Sequence, residues 1–211
     1  MSLYNHRLTY RPLRGGLEIY NAVVDEVGTL GFIAQSPRGG PERWLVSCYH
    51  VLVGSPNTLP GEGETILQPS AVADAVAVID PMHMDAGLDC AAAKVLYGIT
   101  ATAEILGIGC PGVPIDPVPG MRLLKSGATT GVTEGVVETV AGDDVTIAIP
   151  DGFDPNYELS GPGDSGSLWL ARDTLQPVAL HIRGMTGATR RCSAKRIVAV
   201  LAALDLVLVN G

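Results

Sequence analysis

Turn-forming residues interrupt this chain at short intervals and limit the length of any regular element. The 211 residues include 26 glycines and 15 prolines, close to one residue in five. Between them lie short apolar or alternating runs, a pattern typical of β-strands. No apolar run reaches the roughly 18 residues that a membrane-spanning helix needs. The pattern therefore predicts an all-β barrel or sandwich.

Four of these runs predict two β-hairpins. Runs 29–34 and 44–48 flank a loop rich in glycine and proline, and runs 135–140 and 145–149 flank a short polar turn. Further strand candidates are 71–79, 90–96, 167–170 and 177–182.

The chain divides into two halves joined by a linker. Residues 107–120 hold four prolines and four glycines and separate a first half, about 20–106, from a second half, about 121–192. A terminal helix is expected at about 193–205, with Ser193 as its N-cap. Its apolar stripe at helical spacing is Ile197, Val200, Leu201 and Leu204.

Charge and cysteine content exclude several classes of protein. The net charge of −8 argues against a nucleic-acid partner, because such binding uses clustered Lys and Arg. The basic stretch at 183–196 is interpreted as a solvated face. The four cysteines lack zinc-type spacing, so we expect reduced, mostly buried thiols, no metal and no cofactor. Residues 1–7 lack a signal-peptide core, which predicts a cytoplasmic protein unless a leader has been trimmed.

The segment Gly-Pro-Gly-Asp-Ser-Gly-Ser at 161–167 is the sharpest chemical signal. A serine hydroxyl is a poor nucleophile unless a base accepts its proton and N–H donors meet the oxyanion that forms. Glycine before Ser165 permits such a turn. Ordinary turns share this composition, so the partners of the serine decide the interpretation.

His50 is the leading candidate base, because it directly follows a β-run, and Asp89 is the candidate that orients it. Asp89 opens an apolar strand, whereas the competing Asp85 lies in the preceding loop. The order His50, Asp89, Ser165 is that of double-barrel proteases.

These motifs resemble those of trypsin-like (chymotrypsin-fold) serine peptidases, of a bacterial type without the disulfides of secreted trypsins. The resemblance spans roughly 11–209. It rests on segments 11–16, 28–33, 47–52 (Ser-Cys-Tyr-His-Val-Leu), 66–69, 88–91, 124–137 (with Lys-Ser-Gly-Ala-Thr-Thr-Gly) and 161–168.

The resemblance implies two six-stranded antiparallel β-barrels, with the site between them and a short C-terminal helix. It implies His50 as general base, Asp89 as its orienter and Ser165 as nucleophile, with the N–H groups of Gly163 and Ser165 forming an oxyanion hole. The implied reaction is hydrolysis of a protein or peptide substrate through an acyl-enzyme.

Two departures from that family matter. Val51 follows His50, so the disulfide that commonly flanks the histidine is impossible, and no Ile-Val-Gly-Gly start is present. In trypsin-like zymogens, a freed amino terminus pairs with the aspartate that matches Asp164. Here Asp164 needs another partner, and we expect activity without proteolytic trimming.

The resemblance also points to a specificity pocket. Leu159 stands at the expected base of the pocket beside Ser160, which does not favour Arg or Lys at P1, the substrate residue before the scissile bond. Segment 179–184 resembles a strand of glutamyl endopeptidases, so His181 or Arg183 could bind an acidic P1 side chain. Alternatively, His181 is only a strand residue in an apolar pocket. The predicted preference is Glu or a mid-sized apolar residue.

Other interpretations stay open at this point. A Cys48–His50 dyad is possible, although a buried thiol fits better. His83 and Asp85 could begin a metal site, although a surface loop fits better. The same triad suits an esterase, a latent binding module or a self-processing domain of a larger polypeptide.

Overall fold

A computed structural model describes residues 4–61, 63–70, 74–154, 156–185 and 190–209. The first part of the strand predicted at 71–79 lies outside these residues, and the remainder belongs to a longer strand at Ala75–Asp85.

Strands dominate both halves of the chain. In the first half they are β1 (Leu13–Gly15), β2 (Glu18–Asn21), β3 (Glu26–Thr29), β4 (Phe32–Gln35), β5 (Trp44–Ser47), β6 (Thr65–Leu67), β7 (Ala75–Asp85), β8 (Cys90–Val95) and β9 (Ala101–Ile105), with helix α1 (Tyr49–Leu52) between β5 and β6. In the second half they are β10 (Arg122–Gly127), β11 (Gly131–Ala141), β12 (Asp144–Ala148), β13 (Leu168–Ala171), β14 (Pro177–Gly184) and β15 (Arg191–Arg196), followed by helix α2 (Ile197–Leu204) and β16 (Val207–Leu208).

The two halves form separate sheets, and the all-β prediction is confirmed. The second half is a closed six-stranded barrel in the order β10-β11-β12-β15-β14-β13, whereas the first is an eight-stranded sheet in the order β16-β4-β5-β8-β7-β6-β2-β3. β16 returns from the C-terminus to pair with β4. β1 and β9 form an additional parallel pair that the sequence pattern did not predict.

Both predicted hairpins are present. In β4–β5, Phe32 lies opposite Val46, and in β11–β12, Val136 lies opposite Ala148. All four residues of β5 are buried, which places this strand between core layers. In β11, buried residues alternate with more exposed ones along most of the strand, as expected where one sheet face meets solvent.

Each half has its own apolar core. The first-half core packs around Phe32, Leu45 and Leu52 and also takes in the buried face of α2. The second-half core packs around the fully buried Trp169. Side chains of β13 and β14 also belong to the first-half core, so the two halves pack against each other, and residues of both line one cleft.

The predicted start of the C-terminal helix is wrong. Ser193 lies inside β15, where it pairs with Thr146 of β12, and α2 begins only at Ile197. Pairing with β12 continues as far as Lys195 and pairing with β14 as far as Arg196, so the ladder overrides the local capping signal. The residue at the N-cap is Arg196, which makes no side-chain cap hydrogen bond.

Among the described residues, no helix is long and apolar enough to cross a membrane.

Candidate active site

Backbone and side-chain bonds from Thr29 join the two halves at the serine turn, 161–165. The Thr29 amide donates to the Ser165 carbonyl (2.8 Å), and its hydroxyl donates to the Gly163 carbonyl (2.8 Å). Thr29 is fully buried at the end of β3. The first half therefore contributes directly to the shape of a turn that belongs to the second.

His50 and Asp89 meet through three contacts. His50 lies in α1, and its Nδ1 is 2.8 Å from Asp89 Oδ2 and 3.0 Å from Oδ1. The His50 amide also donates to Oδ1 (3.0 Å). A carboxylate on Nδ1 keeps the proton there and leaves Nε2 to accept one. This arrangement suits a base that takes a proton through Nε2.

Asp89, rather than Asp85, reaches the histidine because of the turn before β8. Asp89 has φ +51°, in the left-handed region, which Asp tolerates better than most residues. Asp85 instead accepts a hydrogen bond from the Leu88 amide (2.8 Å) within the same turn. The competing aspartate stabilises the turn that presents Asp89.

Ser165 lies on the serine turn with its hydroxyl pointed at the adjoining strand. Its Oγ donates to the Ile182 carbonyl (2.8 Å). Within the described residues, the hydroxyl makes no other hydrogen bond. The hydroxyl proton is therefore not directed at His50 in this state. Catalytic hydrogen bonds are often absent or long without substrate.

Every backbone carbonyl of the serine turn has a partner. Gly161 O accepts from the Asp164 amide (3.1 Å), Pro162 O from Thr129 Oγ1 (2.5 Å), Gly163 O from Thr29 Oγ1 (2.8 Å), Asp164 O from the Ser167 amide (3.1 Å) and Ser165 O from the Thr29 amide (2.8 Å). Within the described residues, the amides of Gly163 and Ser165 have no acceptor. Two adjacent unpaired donors beside a serine can receive an oxyanion.

Asp164 is held by a buried lysine. Its Oδ2 lies 2.9 Å from Lys125 Nζ, and both side chains are fully buried. The amides of Gly161, Thr129 and Thr130 and the Thr130 hydroxyl also donate to it. Burial alone would raise the pKa of Asp164, but the Lys125 charge and these donors lower it to about 2. Lys125 thus fills the place that the sequence left open.

The Lys-Ser-Gly-Ala-Thr-Thr-Gly segment is built around this aspartate. β10 carries Lys125, and the turn into β11 carries the two threonines. A Cβ on Gly127 would lie 2.3 Å from Asp164 Oδ1, so only glycine admits the carboxylate here. A lysine in an otherwise largely buried strand was a readable signal for a buried carboxylate partner, which the sequence analysis did not use.

His181 is buried and neutral. The Trp169 indole N–H donates to its Nδ1 (3.3 Å), so Nε2 carries the proton and donates to Ser160 Oγ (2.7 Å). Burial, followed by the Lys125 charge, lowers its pKa to about 3. His181 therefore offers Ser160 a neutral hydrogen-bond donor and contributes no positive charge.

The candidate specificity residues separate into two groups. A cavity of about 440 Å³ is lined by Ser160, Gly161, Tyr157 and neighbouring residues, whereas Leu159 is packed in the second-half core. A second cavity, of about 650 Å³, contains His50, Asp89, Ile182 and Arg183 among its lining residues. Arg183 is exposed, and no described carboxylate pairs with it.

The cysteine near His50 is a buried thiol. Cys48 Sγ donates to the His181 carbonyl (3.2 Å), and burial raises its pKa well above its usual value. Its sulfur lies within 4.8 Å of ligand atoms of His50 and Asp89, but a protonated thiol is neither a metal ligand nor a nucleophile. His83 bonds the Leu204 carbonyl (2.6 Å) and so ties β7 to α2.

Acid should destabilise the fold through His181. Its pKa is near 3 when folded and about 6.5 when unfolded, so the unfolded chain binds the proton first. The stabilisation is complete above pH 6.5 and is lost as the pH falls towards 3.

We expect the free energy of unfolding to fall between pH 7 and pH 5, and His181→Gln to remove at most about 2 kcal/mol of that fall. Urea titrations at both pH values measure it, with His83→Gln as control. An unchanged pH dependence in His181→Gln contradicts the assignment.

Comparison with known proteins concerns the fold. No family model and no curated protein sequence matches the chain. Solved structures do match. Thermobifida fusca protease A has a TM-score of 0.68 at 18% identity, covering 94% of this chain and 98% of its own. Cellulomonas bogoriensis chymotrypsin has a TM-score of 0.65 at 17% identity, covering 94% and 98%.

A third match is a glutamic acid specific serine protease, described as using a histidine triad in substrate binding. Its TM-score is 0.68 at 18% identity, covering 93% of this chain and 100% of that protease. The predicted chymotrypsin-like two-barrel fold is confirmed by these matches, although the first half is a curled, open eight-stranded sheet and not the expected six-stranded barrel. The chain has the fold of bacterial chymotrypsin-type serine proteases.

Proposed function

We propose that this chain is a serine endopeptidase that cleaves peptide bonds through an acyl-enzyme. The observation that carries the proposal is the serine turn, where the amides of Gly163 and Ser165 have no acceptor within the described residues and the turn carries the Ser165 hydroxyl. The His50–Asp89 pair in the same cleft supports it, because it supplies a base with the tautomer such chemistry needs.

The proposed reaction moves one proton at a time. Ser165 Oγ bonds the substrate carbonyl carbon while His50 Nε2 takes the hydroxyl proton, and the oxyanion accepts from the Gly163 and Ser165 amides. His50 then gives the proton to the leaving amine as the peptide bond breaks. Water, deprotonated by His50, releases the acyl group and restores Ser165.

Asp89 acts in this proposal on His50 alone. Its carboxylate fixes the ring and stabilises the imidazolium that forms twice in each cycle. Lys125 acts on the turn through Asp164. We therefore propose that the intact chain is active without proteolytic trimming, since the buried cation that Asp164 requires is already part of β10.

A latent protease-fold binding module is the second candidate. The Ser165 hydroxyl donates to the Ile182 carbonyl rather than towards His50, and this favours a resting state that does not react. Reactivity towards an active-site probe separates the two candidates.

Incubation with a fluorophosphonate should add one adduct to the intact chain, because the activated Ser165 Oγ displaces fluoride from phosphorus. Ser165→Ala and His50→Ala should show no adduct, and Ser2→Ala should label like the wild type. Intact-mass spectrometry measures the adduct. A folded wild type that stays unlabelled would reject the enzyme in favour of the latent module.

For substrate choice, we propose a P1 preference for Glu or a mid-sized apolar residue. Likeness to a glutamic acid specific protease supports it, as do the absence of a carboxylate at Leu159 and Ser160 and the exposed Arg183 beside His50. Because His181 is neutral, we propose that Arg183 supplies the charge that offsets the desolvation of a glutamate.

Tetrapeptide p-nitroanilides that differ only at P1 test the preference. We expect kcat/KM for Glu or Leu to exceed that for Arg by at least about tenfold. Arg183→Gln should lower the ratio of kcat/KM for the P1 Glu substrate to kcat/KM for the P1 Gln substrate by about tenfold, roughly 1.4 kcal/mol. The same change at the exposed Arg38 should leave this ratio unaltered. Preferred cleavage after Arg or Lys contradicts the proposal.

A further inference from the structure

The direction of one oxyanion donor depends on a single peptide group. The Gly163 N–H belongs to the Pro162–Gly163 peptide, which is trans, and in a trans peptide the N–H and C=O point in opposite directions. Whatever holds the Pro162 carbonyl therefore decides where the Gly163 N–H points. Gly163 has φ +97°, and glycine can exchange this conformation for others at little cost. A hydrogen bond from another residue is therefore needed to fix the orientation of the peptide.

Thr129 supplies that hydrogen bond. Its Oγ1 donates to the Pro162 carbonyl (2.5 Å), while its own amide donates to Asp164 Oδ1 (2.9 Å). The backbone of Thr129 is thus anchored to the buried ion pair, and its hydroxyl reaches from there to the turn. The approach is close, since a Cβ on Gly163 would lie 2.7 Å from Thr129 Oγ1.

An arginine from the start of the chain directs the Thr129 hydroxyl. Arg7 Nη2 donates to Thr129 Oγ1 (3.2 Å), and Arg7 Nε lies 3.1 Å from Glu18 Oε2. A cation that occupies a lone pair of the hydroxyl leaves its proton for the Pro162 carbonyl. The Arg7 side chain is 56% exposed, so its contribution should be smaller than that of Thr129.

We propose that Thr129 is a positioning residue that keeps the Gly163 N–H directed into the oxyanion hole, assisted by Arg7. This inference rests on the proposed peptidase function. The other carbonyls of the turn are held by the buried Thr29 or by backbone amides. Thr129 is exposed, so its hydroxyl can be removed without creating a cavity in either core.

Thr129→Val removes the hydroxyl at nearly constant shape, and Thr129→Ser retains it. Removal of an oxyanion donor costs about 10²–10³ in kcat, and a donor that is present but misdirected should cost less. We expect Thr129→Val to lower kcat about 10- to 100-fold with KM nearly unchanged. Thr129→Ser should recover most of the rate, and Arg7→Ala should lose only a few-fold.

A peptide boronic acid provides a second readout. Its tetrahedral adduct uses the oxyanion donors, so its affinity for Thr129→Val should fall in parallel with kcat, whereas the melting temperature should stay close to that of the wild type. Thr174→Val, at another exposed threonine, serves as the matched control and should change neither.

Three outcomes would overturn the inference. They are an unchanged kcat in Thr129→Val, an equal loss in Thr129→Ser, and a crystal structure of Thr129→Val in which the 162–163 peptide keeps its orientation. The crystal structure needs no activity, so it decides the inference even if the chain proves inert. An inert wild type with a reoriented peptide in Thr129→Val would reject the proposed function alone.

Discussion

The buried pair of Lys125 and Asp164 is the constraint on which the site depends. Two fully buried charges 2.9 Å apart repay their desolvation only when the remaining donors and acceptors are also satisfied. Here the Thr130 hydroxyl accepts from Lys125 and donates to Asp164, and three backbone amides donate to the carboxylate. Because Asp164 directly precedes Ser165, the pair fixes the peptide groups on which the proposed chemistry relies.

The proposed chemistry depends on residues from elements that lie in different sheets. His50 lies in α1, just after β5, and Asp89 lies just before β8, whereas the serine turn precedes β13. Thr29 crosses between them with its amide and its hydroxyl. Neither half contains a complete site, so the relative placement of the two cores is itself part of the proposed machinery.

Short-range sequence patterns predict the features that are set by neighbouring residues. Hairpins followed from alternation and turn residues, and Asp89 was preferred to Asp85 because it abuts a strand. The partner of Asp164 stayed open, because the family resemblance pointed to a freed amino terminus and offered no side chain in its place. Lys125, which takes that position, lies in a segment with no local sign of which carboxylate its side chain meets. Capping propensity at Ser193 predicts a helix, but it does not register the ladder that this residue forms with β12. Leu159 belongs to the second-half core, a placement set by contacts that are distant in sequence.

The most direct test of this account is the rate of fluorophosphonate acylation of the intact chain, with its amino terminus verified by mass, in the wild type and in Lys125→Met. The account predicts rapid acylation of the untrimmed wild type and a loss of at least about 100-fold in Lys125→Met while the circular dichroism spectrum is retained, since one lost donor is worth that much. An untrimmed wild type that reacts only after cleavage near Gly28, or an unaffected Lys125→Met, would contradict it.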